Sequence, residues 1–494
     1  MIQVNRVRPV FASRGKGRGR SFCISVQRLV QSPAVHPQHR KMSLVLTKDV
    51  LEHLQEDFDK DPKNRLAQNV FTRVGLSEAL ASHKAVRDTN HVFNQKVDPE
   101  GKPCTNQKRT GRCWLFAFLN AARLPVMREY RLEEFEFSQA HLFFWDRVER
   151  CNFFLNNMVK LARSAEPVDG RLMSFLLKGC CADGGQWDMA CNLVKKHGLV
   201  PKKNFLESIN SEDTLSMNII LKSKLREYAR DLRNMVEQNA SDEDIADRIK
   251  EMMQVCYRIV SVCLGTPPPA FTWEYYDKNK AYCRVGPITP VEFYEQHVKP
   301  FFNVDDKICL VNDPRPSNPF GDTYTVEYLG NVVDGKQTIY NNQSIEVIMQ
   351  AVVDSIKGNE AVWFGCDVRK HFDRKRGIED LSLHEYDLVF GTNVNLGLSK
   401  AERLLYEQSL MTHAMIFTGV SLDADNNPVK FRVENSWGED TCEKGYIVMT
   451  REWFKEFLFE VVVDKKYLSS EVLATQDKEP KVLPAWDPMG ALAA

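Results

Sequence analysis

Gln107-Lys108-Arg109-Thr110-Gly111-Arg112-Cys113-Trp114-Leu115-Phe116 is the stretch from which the rest of the chain is read. A polar loop with one glycine runs into a cysteine, and an apolar, helix-forming run from Trp114 to Leu124 follows at once. Pro125 limits how much further that helix is expected to go. Cys113 is therefore predicted in the first turn of a buried helix. There it faces the positive end of the helix dipole, which favours thiolate over thiol, and the thiolate is the nucleophile. Gln107, six residues upstream, is expected to fold back beside the sulfur and donate an amide N–H to an oxyanion. A single cysteine is more often a small buried hydrophobe, so this reading needs partners elsewhere in the chain.

Those partners lie about 300 residues downstream. Ser409 to Val420 reads as a strand with His413 near its start, and Phe431-Arg432-Val433-Glu434-Asn435-Ser436-Trp437-Gly438 as a strand running into a turn. A thiolate nucleophile needs an imidazole to shuttle a proton. The imidazole needs a third group to hold its ring, and a neutral amide serves in place of a carboxylate. Cysteine, then histidine, then asparagine, far apart in that order, fits this logic. Alone, His413 is more often a satisfied core histidine and Asn435 a turn residue. Their joint occurrence with Gln107 and Cys113 gives the catalytic reading its weight.

On these residues the chain resembles the papain-like cysteine peptidases, and within them the bleomycin hydrolase branch. Gly111-Arg112-Cys113-Trp114 resembles that branch, where most papain relatives carry serine before the cysteine. Asp183-Gly184-Gly185-Gln186-Trp187-Asp188-Met189, Phe271-Thr272-Trp273-Glu274-Tyr275, Val311-Asn312-Asp313-Pro314-Arg315-Pro316 and Leu483 to Leu492 are similar to it as well. The resemblance runs from Met42 to the end. It implies an α+β fold of two lobes, one helical and one a β-barrel-like antiparallel lobe, with a cleft between them, a large helical insertion and a C-terminal arm in the cleft. It implies an aminopeptidase acting on peptides and on amide or thiolactone compounds, bleomycin included, and a homohexameric ring. Cys113 would attack, His413 would move the proton, Asn435 would orient the ring and Gln107 would stabilise the oxyanion. Trp437 would shield the His413–Asn435 bond, and Gly184 and Gly185 would line the cleft. The arm would end in a carboxylate that meets the substrate's α-ammonium, carried by Ala493 or Ala494. No metal or organic cofactor is implied.

Composition sets the outer limits. Hydrophobic content of 43% and charged content of 27% are ordinary for a globular protein, and no apolar run approaches the ~20 residues that span a bilayer. The thirteen cysteines are scattered without zinc-like pairs, and Cys180-Cys181 are adjacent. This usage reads as reduced thiols in a cytoplasmic setting. The net charge of zero hides an asymmetry. Residues 1–41 hold nine Lys and Arg and no acid, which leaves 57 basic against 66 acidic residues, net −9, in the body. An acidic body argues against nucleic acid as a partner, because phosphates are neutralised by clustered Lys and Arg.

The chain is read in six segments. Residues 1–41 are an arginine-rich leader expected to be disordered: either a mitochondrial transit peptide or an upstream extension with Met42 as the usual start. Residues 42–100 read as an N-terminal helical arm with Leu51, Leu54 and Phe58 at helical spacing. Residues 101–210 form the helical catalytic lobe, where Ser138 caps a helical stretch over 135–157 and His141 is structural. Residues 211–300 are a helical insertion suited to subunit contact. There Ser241 and Asp244 open a periodic run (Ile245, Ile249, Met252, Met253, Cys256, Ile259, Val260, Cys263) that ends at Gly265. This material helps to explain a cysteine-to-histidine gap roughly twice the usual papain figure of about 130–150 residues. Residues 301–470 are the β-rich catalytic lobe, short strands alternating with turns from Ala270 onward around one helix, 342–357, and His371 and His384 are expected at the surface. Residues 471–494 form the arm, whose Trp486, Met489 and Leu492 are costly to leave in water.

Overall fold

The computed structural model describes residues 45–392, 394 and 396–491. The leader 1–41 and the candidate carboxylate carriers Ala493 and Ala494 lie outside the described residues. The chain divides into two units, Met1–Asp61 and Pro62–Ala494. In the first, one helix, Lys48–Lys60, starts where Thr47 Oγ1 accepts from the Val50 N–H.

The second unit is built on the helix Cys113–Glu129, all but one of whose residues through Met127 are buried. A helix apolar on every side sits inside the fold rather than on it. It packs in one core with the helices Gln139–Arg163 and Trp187–His197 and with the long pair Leu215–Glu237 and Asp242–Leu264. The start signals work as the sequence predicts. Ser138 Oγ accepts from the His141 N–H at 3.1 Å. Ser241 and Asp244 close a reciprocal capping box, and Gly265 ends the helix at φ +79. Ile245, Met252, Cys256 and Val260 face the core.

Opposite stands a mostly antiparallel sheet with twelve strands among the described residues. Its middle runs from Leu458–Asp464 through Val362–Cys366, His413–Leu422 and Pro428–Glu434 to Tyr446–Thr450, with His413 opposite Cys366 and Ile416 opposite Glu434. The helix Ile345–Lys357 covers one face, where Phe364 and Phe417 stack at 3.9 Å in a second core. Each such fully buried apolar side chain contributes about 1.5–3 kcal/mol. Three pairings are parallel, among them Lys481–Leu483 of the arm beside Asp322–Val326. A strict antiparallel expectation missed these, since they join strands distant in sequence.

Several local expectations need correction. The helix from Cys113 passes through Pro125 and reaches Glu129. Pro125 has no N–H to offer the Ala121 carbonyl, yet burial on both sides holds the helix. The second helix starts at Gln139 and extends to Arg163. The insertion over 211–300 ends in a β-hairpin, residues 271–288, where short strands and turns are read from Ala270 onward. His371 and His384 are buried, not surface residues. His371 stacks on Phe457 and contacts the His384 ring, and burial lowers the pKa of both rings.

The two layers are joined by a buried ion pair. Arg123 Nη2 donates to Glu434 Oε1 at 2.6 Å, with both side chains 1% exposed. Arg123 also donates to the Pro103 and Phe135 carbonyls. Removing one partner strands a buried charge. We expect Arg123→Ala to lower the unfolding free energy by about 3–5 kcal/mol, and Arg123→Met with Glu434→Leu to recover much of that loss. Urea unfolding of the three variants checks both.

Candidate active site

Cys113 is the first residue of its helix, following Arg112. Arg112 is fully buried. Its Nε donates to Thr110 Oγ1 at 3.2 Å, its Nη1 to Glu207 Oε2 at 2.9 Å, and its guanidinium lies over the Phe116 and Phe143 rings at 5.2 Å each. This buried pair fixes the turn into the cysteine, a task serine cannot perform. Cys113 itself is 1% exposed. Burial pushes its thiol up to about 12, against the lowering effect of the N–H groups of Ala414, Trp114 and Cys113. The helix end alone was expected to favour the thiolate, and in this structure burial outweighs it. The Ala414 contact puts the sulfur beside the residue that follows His413.

His413 opens its strand, from the opposite wall. Its Nε2 lies 2.9 Å from Asn435 Oδ1. That oxygen also accepts from the Ser436 N–H at 2.8 Å, so it is the acceptor atom of the amide. Nε2 of His413 therefore carries the proton, which leaves Nδ1 as the proton-accepting nitrogen. Burial lowers the ring's pKa to about 4, opposed by the Asn435 bond. A lone charge on sulfur or ring is penalised in this pocket, whereas a thiolate facing an imidazolium offsets both penalties. The Trp437 ring lies 4.8 Å from the His413 ring, covering it, and the Arg374 guanidinium caps Trp437 at 4.7 Å.

Gln107 is joined to the same wall. Its backbone N–H donates to the Ser436 carbonyl at 2.8 Å, and its Oε1 accepts from Ser436 Oγ at 2.7 Å. Nε2 donates to the Thr110 carbonyl at 2.7 Å. A primary amide has two N–H groups, and this bond uses one. Thus Cys113, Gln107, His413 and Asn435, spread over more than 300 residues, meet where the two layers face each other.

Gly184 and Gly185 sit on a loop whose carbonyls are tied down in succession. Arg147 donates to the carbonyls of Cys181 and Ala182, Trp114 Nε1 to that of Asp183 at 2.8 Å, and Arg150 to that of Gly184 at 2.9 Å. Asp146 holds both arginines. The Asp183 carboxylate accepts from Arg147, Asn218, Thr214 and the Gly111 N–H, so it links the long helix pair to the loop before Cys113. Burial raises its pKa, but Arg147 and these donors hold it below the ordinary value. Gly185 is needed for fit. A Cβ there would stand 2.6 Å from the Trp114 ring.

The arm reaches the loop that carries Gly184 and Gly185. Gln186 Nε2 donates to the Ala491 carbonyl at 2.9 Å, one residue beyond Gly185. Trp486 lies under the Arg171 guanidinium at 4.4 Å. Between arm and helices is a cavity of about 870 Å³ lined by Phe153, Phe175, Tyr328, Leu410, Trp486 and Ala491 among others. Sequence reasoning singled out Arg112 and Asp183 as parts of motifs but not their partners, and it missed Glu207, Arg147 and the Arg123–Glu434 pair. Only Asp146 and Arg150, four apart on one helix, carry a local signal. Apart from the adjacent Asp146 and Arg147, the other pairs join distant segments.

Comparison with known proteins shows the family. Residues 45–490 match the family described as Peptidase C1-like. Bleomycin hydrolase of Gallus gallus is 55% identical over 435 residues, covering 88% of this chain and 95% of that protein. The Homo sapiens protein of the same name is 53% identical, covering 91% and 99%. Aminopeptidase C of Lactococcus lactis subsp. cremoris is 39% identical, covering 91% and 100%. The crystal structure of pepw from Lactobacillus rhamnosis superposes with a TM-score of 0.88 at 39% identity, covering 92% of this chain and 100% of that one. The chain belongs to the peptidase C1-like family and is a cysteine aminopeptidase of the bleomycin hydrolase type.

Proposed function

We propose that Cys113, His413, Asn435 and Gln107 carry the reaction. His413 Nδ1 takes the Cys113 proton as sulfur attacks the scissile carbonyl. The imidazolium then protonates the leaving amine, and the neutral ring later activates water to release the acyl group. Asn435 holds the ring, Trp437 keeps water from their bond, and the remaining N–H of Gln107 with the Cys113 backbone N–H stabilises the oxyanion. The observation that carries this reading is the 2.9 Å bond from His413 Nε2 to Asn435, which turns Nδ1 into the base. The reaction so written draws on groups of the chain and water alone. Removing the Gln107 donor is expected to lower turnover about 100- to 1,000-fold.

The arm is read as the device that selects free amino termini. A carboxylate on Ala493 or Ala494 would face the substrate's α-ammonium, and Gly184 and Gly185 would lie along the substrate. Support comes from the Gln186–Ala491 bond, which brings the arm to the Gly185 loop. Substrates are unstructured peptides and amide or thiolactone compounds that resemble an amino terminus, bleomycin among them. The apolar cavity beside the arm suits large apolar side chains. A fluorogenic amino-acid amide and its N-acetylated copy test this. Wild type should cleave only the free amine, Cys113→Ala neither, and a chain truncated after Pro484 both. Equal cleavage by wild type would overturn the arm's role.

The pH dependence follows from His413. Its folded pKa, about 4, lies below the ordinary 6.5. Between those values the unfolded chain takes up a proton that the folded chain refuses, so folding stability falls as pH falls through that window. His413→Leu should remove one proton from the slope of unfolding free energy against pH there. By the same shift, the acid limb of kcat/KM should lie well below pH 6.5.

The enzyme is further read as a homohexamer in the cytoplasm, with a mitochondrial form if residues 1–41 direct it there. No described helix is long and apolar enough to cross a membrane, and the described cysteines are free thiols. Self-association is supported by exposed apolar residues on the helical insertion and just before it. Ile209 is 86% exposed and Ile219 59%, with Leu215 and Ile220 close by in sequence, and such patches mark contact surfaces. Sedimentation should show a hexamer that Ile209→Glu with Ile219→Glu dissociates.

A further inference from the structure

Two blocks singled out in the sequence, Val311 to Pro316 and Leu483 to Leu492, have no part in the chemistry above, yet the fold brings them together. Arg315 is oriented from below by Asp313. Asp313 Oδ1 accepts from Arg315 Nε at 2.9 Å and from its backbone N–H at 3.2 Å, and Oδ2 accepts from Arg315 Nη2 at 2.7 Å and from Asn318 Nδ2 at 2.6 Å. The guanidinium then presents Nη1 and Nη2 as a fork to Asp487, at 3.0 Å to Oδ2 and 2.8 Å to Oδ1. All three charged side chains are at most 8% exposed.

Asp487 is also the residue that turns the arm. Its Oδ1 accepts from the Met489 N–H at 2.9 Å and starts the turn Pro488–Gly490. Met489 is buried there, and a Cβ on Gly490 would stand 2.7 Å from Val326, so the arm lies flat on the strand Asp322–Val326. Four residues after Asp487, the Ala491 carbonyl meets Gln186.

We infer that Asp313, Arg315 and Asp487 form a clamp that holds the arm, through Ala491, in one place beside the Gly185 loop, and that this placement is what lets the arm select free amino termini. They are positioning residues: they touch neither the substrate nor the sulfur, and act through the arm. The inference rests on the reading of the arm given under Proposed function. A bidentate guanidinium–carboxylate pair suits this task, because it fixes angle as well as distance. Burial keeps salt and water from loosening it.

Asp487→Asn separates this role from plain stability. Arg315 keeps Asp313 as its counter-charge, so no cation is stranded, and the amide oxygen of the substituted side chain still serves the Met489 N–H. We expect roughly a tenfold rise in KM for the free-amine amide with a much smaller change in kcat, and at least about a tenfold rise in the ratio of N-acetylated to free-amine turnover, toward the value of the chain truncated after Pro484. Hydrogen exchange of the 485–491 amides should quicken in the full-length variant. Arg315→Gln attacks the same clamp from the body, and if it fails to fold, Asp487→Asn still decides. A fall in kcat on both substrates with the ratio unchanged, while truncation raises the ratio, overturns the clamp and leaves the arm reading intact. A ratio unchanged by truncation overturns both.

Discussion

The fold depends on one buried contact between unlike layers, Arg123 on the Cys113 helix against Glu434 on the strand that leads into Asn435. Neither charge is stable at that depth alone. Burial raises the Glu434 pKa even with Arg123 opposite. Their mutual need therefore fixes the helix and the strand at one separation. The same helix is tied across the interface again where Trp363 Nε1 donates to the Trp114 carbonyl. A nucleophile on one layer and its base on the other are useful only if that separation is constant, and polar contacts with directional geometry hold it more sharply than apolar packing does.

Around this interface the protein repeats one device. A buried arginine is held by an acid and spends its remaining donors on backbone carbonyls or on a second acid. Arg123 does this for the loop at Pro103, Arg147 and Arg150 for the Gly184 loop, and Arg315 for the arm. Arg112 is likewise held by Glu207 at the turn into Cys113, with Nε donating to the Thr110 hydroxyl. Loops otherwise tend to be the mobile part of a fold. Here the loops around the candidate site are pinned to rigid helices and strands by charge-assisted bonds. The site is thus preorganised on both walls before substrate arrives.

The electrostatics of the site follow from the same burial. A cysteine at a helix start beside several N–H donors has the means to ionise, and a histidine bonded to an asparagine has the means to protonate. Dry surroundings penalise each charge alone, which raises the thiol and lowers the ring. On the proposed roles, a proton passed from Cys113 to His413 would let each charge offset the burial cost of the other. Asn435 suits the third position because a carboxylate there would bring a further buried charge.

The sequence by itself determined the parts whose cause is local. Helix starts at Ser138 and Ser241 and the stop at Gly265 were legible, since a cap or a left-handed glycine acts within one turn. So were the central strands and the chemical types at Gln107, Cys113, His413 and Asn435, whose meaning lies in residue type and order. Tertiary structure alone decided what depends on partners far along the chain. It carried the helix through Pro125, buried His371 and His384, added parallel strands, and paired Arg123 with Glu434 and Arg315 with Asp487. A charge shows in the sequence, but its counter-charge does not, because desolvation and Coulomb attraction act through distances that exist only once the chain has folded.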